Sequence, residues 1–423
     1  MLSLPGEAFR PGGWVINGHH VSIEHMHLAV QAPTPRTWAV VALVMMMVAA
    51  ACGSTQTVAA KTGPCPRHLV IQTDDWPTAE HGGLYRLLEP GALADGDAFA
   101  YRGPIRKLYA DGAQGVLGGP GNDSPEHGIE TVEIRAGGQA VGDQPAASVL
   151  ATDDEIYAAL VATDEVIGLA MSTPLRGVMA TLDRASTALV WNSAEVPIDD
   201  DDLSGAGVPV VLPETALYAR FLIMTGAIDD QLTQQTFDGT DSRWIASGGR
   251  IVQPGSITDD VYRFSRELRP RSLVDDRLLY DLGYRPYPAM VSVPVERIET
   301  DADCLGVLVP LMQRAWIDYF DDPGPVNEEL VVINESYGAW RRLSTGHNNW
   351  AIAQMVQRRL VDTSPGNVFG SFDEARVEDL IAMVTKALAD ESEEEFELPE
   401  GYGALDVITN QFIDPSITLA DPS

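Results

Sequence analysis

Residues 72–85 read QTDDWPTAEHGGLY and begin within the end of HLVIQT, residues 68–73. The first run is short and rich in Leu, Val and Ile, which predicts a strand, and the spacing over 80–88 predicts a helix. In an open α/β sheet the carboxyl edge of a strand is where ligands bind. Trp76 and Tyr85 offer flat apolar faces there, while Asp74, Asp75, Glu80 and His81 offer hydrogen bonds and negative charge. Each has a blander reading alone: Tyr85 as core, His81 as a helix cap. Packed this densely beside a strand end, they read as a binding site.

Working outward, residues 129–135 alternate as a strand and end at Gly137-Gly138. Residues 153–160 read as a helix, 162–170 and 177–182 as strands, 213–224 as a helix, and 279–293 contain a strand rich in Val, Pro and Tyr. Residues 303–320 and 373–389 have the spacing of amphipathic helices. Strands alternating with helices indicate an α/β protein with mostly parallel sheets. The pairs Gly82-Gly83, Gly137-Gly138 and Gly248-Gly249 fall near strand ends or helix starts, where backbone N–H groups can face a ligand. The acidic runs 199–202 and 391–395 read as solvated, because consecutive carboxylates lack the alternating spacing of a calcium loop. No metal site, cofactor motif or catalytic signature is found: there is no Gly-x-Ser-x-Gly elbow, P-loop or His-Glu-x-x-His.

Residues 38–51, WAVVALVMMMVAAA, form the only long apolar run, with Arg36 before it and Cys52-Gly-Ser after. That is the pattern of a signal peptide, too short to span a bilayer, which needs roughly 20 apolar residues. A Cys directly after three alanines predicts lipidation of Cys52 and anchoring of an exported chain to the outer face of the cytoplasmic membrane. Ala49 departs from the lipoprotein pattern, which more often has Leu there. His19, His20 and His25 lie upstream, in a stretch that reads either as a metal-binding cluster or as the product of a start codon misplaced before Met26. Residues 1–51 are therefore expected to be removed, and 52–65 to serve as a tether. Cys65 and Cys304 remain as an even pair in an oxidising compartment and predict a disulfide, worth about 4 to 5 kcal/mol on the chain-entropy model.

The formal charge of −33 argues against nucleic acid and anionic lipid as partners, since both need clustered Lys and Arg. Only Lys61, Lys107 and Lys386 are available for Schiff-base or cofactor chemistry.

Five blocks, QTDDWPTAEHGGLY, VEIRAGGQAVGDQP, FDGTDSRWIASGGRIVQPG, LLYDLGYRPYP and CLGVLVPLMQRAWIDYFDDP, occur in that order. Together they resemble the solute-binding proteins of ABC transporters, in the group that includes nitrate, sulfonate, taurine and thiamine-pyrimidine precursor binders. The resemblance implies a type II periplasmic-binding-protein fold, two α/β lobes joined by two crossovers and closing on a small molecule. It places lobe 1 at 66–172 plus 285–415, lobe 2 at 173–284, and the crossovers near Ser172-Thr-Pro174 and Gly283–Pro286. It implies a membrane permease as partner. Ligand contacts carried over by position are Thr73, Asp74, Trp76, Glu80, His81, Gly137 and Gly138, with Thr163 and Asp164 as weaker candidates, and Phe237, Asp238, Gly239 and Gln253 from lobe 2. Phe237 stands where relatives often carry Tyr, and Val252 replaces the first of a common Gln-Gln pair.

The carboxylates of the first loop would repel an anion and suit a flat, nitrogen-rich ring such as an aminopyrimidine. Sulfonate or nitrate is the alternative cargo, and a lipid-anchored sensor the alternative role. A thiamine-pyrimidine synthase is disfavoured, because that chemistry resembles one needing a cysteine-rich iron motif and a cofactor-bearing lysine.

Overall fold

Strand β1 (His68–Gln72) is buried from Leu69 onward, as its apolar run requires. Its alternate side chains pack on two different cores: Leu69 and Ile71 on one face, Val70 on the other. A central strand covered on both faces is the signature of a three-layer α/β arrangement. The computed structural model describes residues 63–110, 127–198, 203, 207–268, 273–339, 341–362, 366–389 and 396–419. The signal segment, Cys52, residues 53–62 of the tether, the upstream histidines and both acidic runs lie outside the described residues.

Around β1 a seven-stranded sheet is built from β2 (Leu93–Asp95), β3 (Ala100–Pro104), β4 (Thr131–Arg135), β5 (Ala158–Val161), β6 (Leu175–Ala180) and β12 (Met290–Pro294), in the order β2-β3-β4-β1-β5-β12-β6. Strands β4, β1 and β5 run parallel, with Gln72 level with both Arg135 and Ala159. β12 enters antiparallel between β5 and β6. The helix Ala302–Asp321 covers one face, where fully buried Trp316 and Tyr319 meet Leu69 and Ile71 in one core. Glu374–Ala389 covers the other, with Val377, Leu380 and Ile381 beside Val70. Cys65 and Cys304 form a disulfide, Cα–Cα 4.7 Å, joining the start of β1 to the start of the Ala302–Asp321 helix.

The smaller lobe carries β7 (Thr187–Asn192), flanked antiparallel by β10 (Gln253–Ser256) and β11 (Val274–Leu278), and a parallel pair, β8 (Val210–Leu212) and β9 (Thr233–Gln235). The chain enters it between β6 and β7 and returns between β11 and β12. A returning strand inserted antiparallel into the first sheet, with two α/β lobes joined by two crossovers, is the type II periplasmic-binding-protein fold.

Four expectations are corrected. The sheets are not mostly parallel: only β4-β1-β5 and β8-β9 pair in parallel, and the other strand pairs are antiparallel, because hairpin and returning strands flank the parallel core. Residues 153–160 are not a helix: they turn at Asp153 and run into β5, while Thr163–Gly168, expected as strand, is helical. A four-residue strand buried on both faces does not alternate, so its apolar run cannot be told from helix by periodicity. The first crossover is not at Ser172-Thr-Pro174, which turns into β6 of the large sheet; the chain leaves that sheet at 181–186. Gly82 and Gly83 line neither cavity described below and pack instead on the Ala302–Asp321 helix. A Cβ would lie 2.0 Å from the Tyr319 ring at Gly82 and 2.0 Å from Trp316 at Gly83, so both glycines permit close helix packing.

Candidate functional site

Because β1, β4 and β5 are parallel and in register, their carboxyl ends deliver three loops to one edge of the sheet. The first loop holds the largest set of candidates. Thr73 is fully buried and organises it: its hydroxyl donates to Asp75 O at 2.7 Å and Arg135 O at 3.1 Å and accepts from Gly137 N–H at 3.2 Å. Gly137 presses on the Thr73 and Asp74 backbone, where a Cβ would fall 2.3 Å from Thr73 O. Gly138 (φ +57°) sits against Asp75 in a conformation that favours glycine. These three residues shape the loop rather than line a cavity.

A cavity of about 560 Å³ opens beyond this edge, between the lobes and beside both crossovers, where Ser186 and Pro288 line it. Asp74, Trp76, Glu80 and His81 line it from the larger lobe, together with Asp75 and Gln139. Trp76 is held edge-on by Phe99 at 5.5 Å and tilted against Tyr337 at 6.2 Å. His81 is buried, with Nε2 2.8 Å from Asp74 Oδ1. Burial, the largest single influence, disfavours its charged form, but Asp74 together with Glu80 and Asp75 outweighs it, so the imidazole titrates above its ordinary value. Burial raises the carboxyls of Glu80 and Asp75 above theirs.

The opposite wall was not anticipated. At the end of β10 and just past it, Ser256, Thr258, Asp259 and Asp260 face the cavity, met by Arg341 and His347 from the larger lobe. The two lobes touch here. The Thr258 hydroxyl donates to Glu80, Trp350 Nε1 donates to Ile257 O at 3.1 Å, and His347 Nε2 lies 3.1 Å from Thr258 O and 3.2 Å from Asp259 Oδ1. Arg341 Nη1 is 2.6 Å from Asp259 Oδ2 and 3.3 Å from Asp260 Oδ1. Arg263, paired with Asp241, also reaches Asp260 at 3.2 Å. Burial, with the charge of Asp259 behind it, pushes Asp260 up to about 6. Burial acts on Asp259 in the same sense, yet its bond to His347 and the Arg341 charge hold it below the usual carboxylate range.

A faint signal for this wall exists in the sequence. Thr73-Asp-Asp75 follows β1 and Thr258-Asp-Asp260 follows β10, so each lobe presents the same tripeptide just past a strand end. The tripeptide is not sufficient alone: Thr152-Asp-Asp154 lies between a helix and β5, and its Asp153 pairs with Arg135 at 2.8 Å.

The other candidates divide. Gly239 lines the main cavity, and Phe237, Gly239 and Gln253 line an adjoining chamber of about 350 Å³. Asp238 is exposed and accepts from its own turn, Thr240 N–H at 3.0 Å and Thr240 Oγ1 at 2.8 Å. Asp164 lines neither space: half-buried, it accepts from the Tyr284 hydroxyl and so ties the larger lobe to the second crossover. Thr163 likewise bonds the crossover, donating to Tyr287 O at 3.2 Å and accepting from Tyr287 N–H at 3.0 Å. Among the described residues no cluster of three or more His, Cys, Asp or Glu could hold a metal ion, and no helix is long and apolar enough to cross a membrane.

No family model matches the sequence, and no curated protein does. Similar solved structures include a protein of Bordetella bronchiseptica RB50, 13% identical over 82% of this chain and 96% of that one, TM-score 0.46. The ligand-binding component of an ABC-type import system from Staphylococcus aureus, solved with zinc bound, is 8% identical over 84% and 100%, TM-score 0.47. The periplasmic aliphatic sulphonate binding protein of Escherichia coli is 13% identical over 80% and 99%, TM-score 0.47. At these scores the ligands of those proteins say nothing of the ligand here.

Proposed function

We propose that this chain is the extracytoplasmic substrate-binding component of an ABC importer, anchored by lipid on Cys52, that captures a small, flat, nitrogen-rich cation of the aminopyrimidine kind. The observation that carries this reading is the charge of the cavity between the lobes. Six carboxylates line it, Asp74, Asp75, Glu80, Asp143, Asp259 and Asp260, against Arg341, His81 and His347. Arg341, His81 and His347 are each paired with at least one of those carboxylates. An anion entering would find its countercharges already engaged and would meet desolvated carboxylates, a cost of several kcal/mol. A protonated amino-substituted ring would instead donate to Glu80 and the Asp259–Asp260 pair and lie along Trp76. The volume falls within the roughly 300–1,000 Å³ usual for small-molecule sites. Contacts from Glu80, Arg341, His347 and Trp350 all converge on residues 257–260, so ligand bound there would bias an open–closed equilibrium that a permease can read.

The test is a thermal-shift panel of aminopyrimidines and alkanesulfonates. Stabilisation by aminopyrimidines is expected; stabilisation by sulfonates alone overturns the choice of cargo.

A further inference from the structure

The chamber beside the main cavity is not an extension of the acidic wall. It shares Thr187, Gly239, Ser256, Asp260 and Arg341 with the main cavity, so the two spaces adjoin. Its remaining walls differ in character: Tyr218 and Phe237 bring aromatic faces and Pro254 an apolar ring. Tyr218 remains a neutral phenol, its pKa raised by burial. Asp241, also at this chamber, is neutralised by Arg263.

Gln253 adds a polar requirement. It is 2% exposed, it lines the chamber, and its side-chain oxygen is buried without a hydrogen-bond partner. Leaving such an acceptor unsatisfied is costly, a cost that a donor on a bound molecule removes. Aromatic walls select a flat apolar group, and the lone acceptor selects an O–H or N–H on it.

Resting on the reading of the main cavity given above, we infer that the ligand has two parts: a nitrogen-rich cationic head in the acidic cavity, and an uncharged aromatic arm with a hydrogen-bond donor in the chamber lined by Tyr218, Phe237 and Gln253.

The experiment is titration calorimetry with 2,4-diaminopyrimidine, its 5-benzyl derivative and its 5-(4-hydroxybenzyl) derivative. On the wild-type chain the benzyl arm is expected to tighten Kd about tenfold or more, and the phenol a further several-fold. Tyr218→Ala should erase the gain from the benzyl arm and Gln253→Leu the gain from the phenol, each read as a ratio between ligands on the same variant. Phe237→Ala, in the loop after β9, supplies the same readout if the helix Leu217–Thr225 does not tolerate loss of Tyr218. If the parent ring binds and the arm adds nothing, or if its gain survives both aromatic variants, the two-part inference is overturned while the reading of the main cavity stands. If none of the three ligands binds, the reading of the main cavity fails and takes this inference with it.

Discussion

Arg341, in the loop before the helix Thr345–Gln357, places Nη1 2.6 Å from Oδ2 of Asp259 across the cleft. The same nitrogen is 3.3 Å from Asp260, so one guanidinium from the larger lobe holds two carboxylates of the smaller one. Arg341→Met keeps an unbranched apolar stem and removes the charge. The expected result is a more open particle, with a larger radius of gyration by small-angle scattering, unchanged far-UV dichroism and a loss of roughly 1–3 kcal/mol in stability. An unchanged radius would show that this pair does not hold the lobes together.

Asp260 gives the site a pH dependence of defined sign. Its carboxyl sits at about 6, raised from the ordinary value by burial first and by Asp259 second. The empty cavity therefore keeps this proton up to about that pH, whereas a bound cation favours the ionised form. Affinity for a cation should rise with pH through about 6 and level off above, falling by up to about tenfold per unit below. A permanently charged N-methylated diaminopyrimidinium removes the ligand's own titration. Calorimetry in two buffers of different ionisation enthalpy should report proton release at about pH 5.5 and little at about pH 7.5. Affinity that is flat or higher in acid would contradict this.

Gly83 lies under Trp316, and Gly82 under Tyr319. Gly83→Ala forces a Cβ to within 2.0 Å of a fully buried indole, which should cost about 1–3 kcal/mol or more through overpacking. Denaturant unfolding measures it. An unchanged midpoint would mean that the helix Gly82–Arg86 slides freely on Ala302–Asp321.

Replacing Cys65 and Cys304 with Ala should lower stability by about 4 to 5 kcal/mol on the chain-entropy model. Both cysteines lie in the core of the larger lobe and neither lines the cavity, so ligand affinity should be unaffected. A matching loss of affinity would show that the bridge also shapes the site.

Cys52→Ala tests the anchor. The variant should move from the membrane fraction to the soluble one and lose labelling by a palmitate analogue. Membrane retention without label would remove lipidation from the proposal.

Half of the site was legible in the sequence because it is local. Asp74, Trp76, Glu80 and His81 sit within eight residues beside an apolar strand, and their density made them conspicuous. The wall formed by Asp259, Asp260, Arg341 and His347 was not legible, because it is assembled by the crossovers from segments more than 80 residues apart. Only the strand-end Thr-Asp-Asp repeat hinted at it. The glycine pairs misled for a physical reason: a Gly beside a strand end serves equally for facing a ligand, for close helix packing at Gly82 and Gly83, and for ending a helix at Gly248 with φ +64°. The α/β class was readable from strand–helix alternation, but alternation overstated the parallel pairing, and fully buried β5 lacked a period.

The most direct test of the proposed cargo is a crystal structure of the chain grown with 2,4-diaminopyrimidine. The expected result is density for the ring between the lobes, its amino groups within hydrogen-bond distance of Glu80 or of Asp259 and Asp260. Density for an anion on Arg341 in that cavity, with the ring absent or bound outside the cleft, would contradict it.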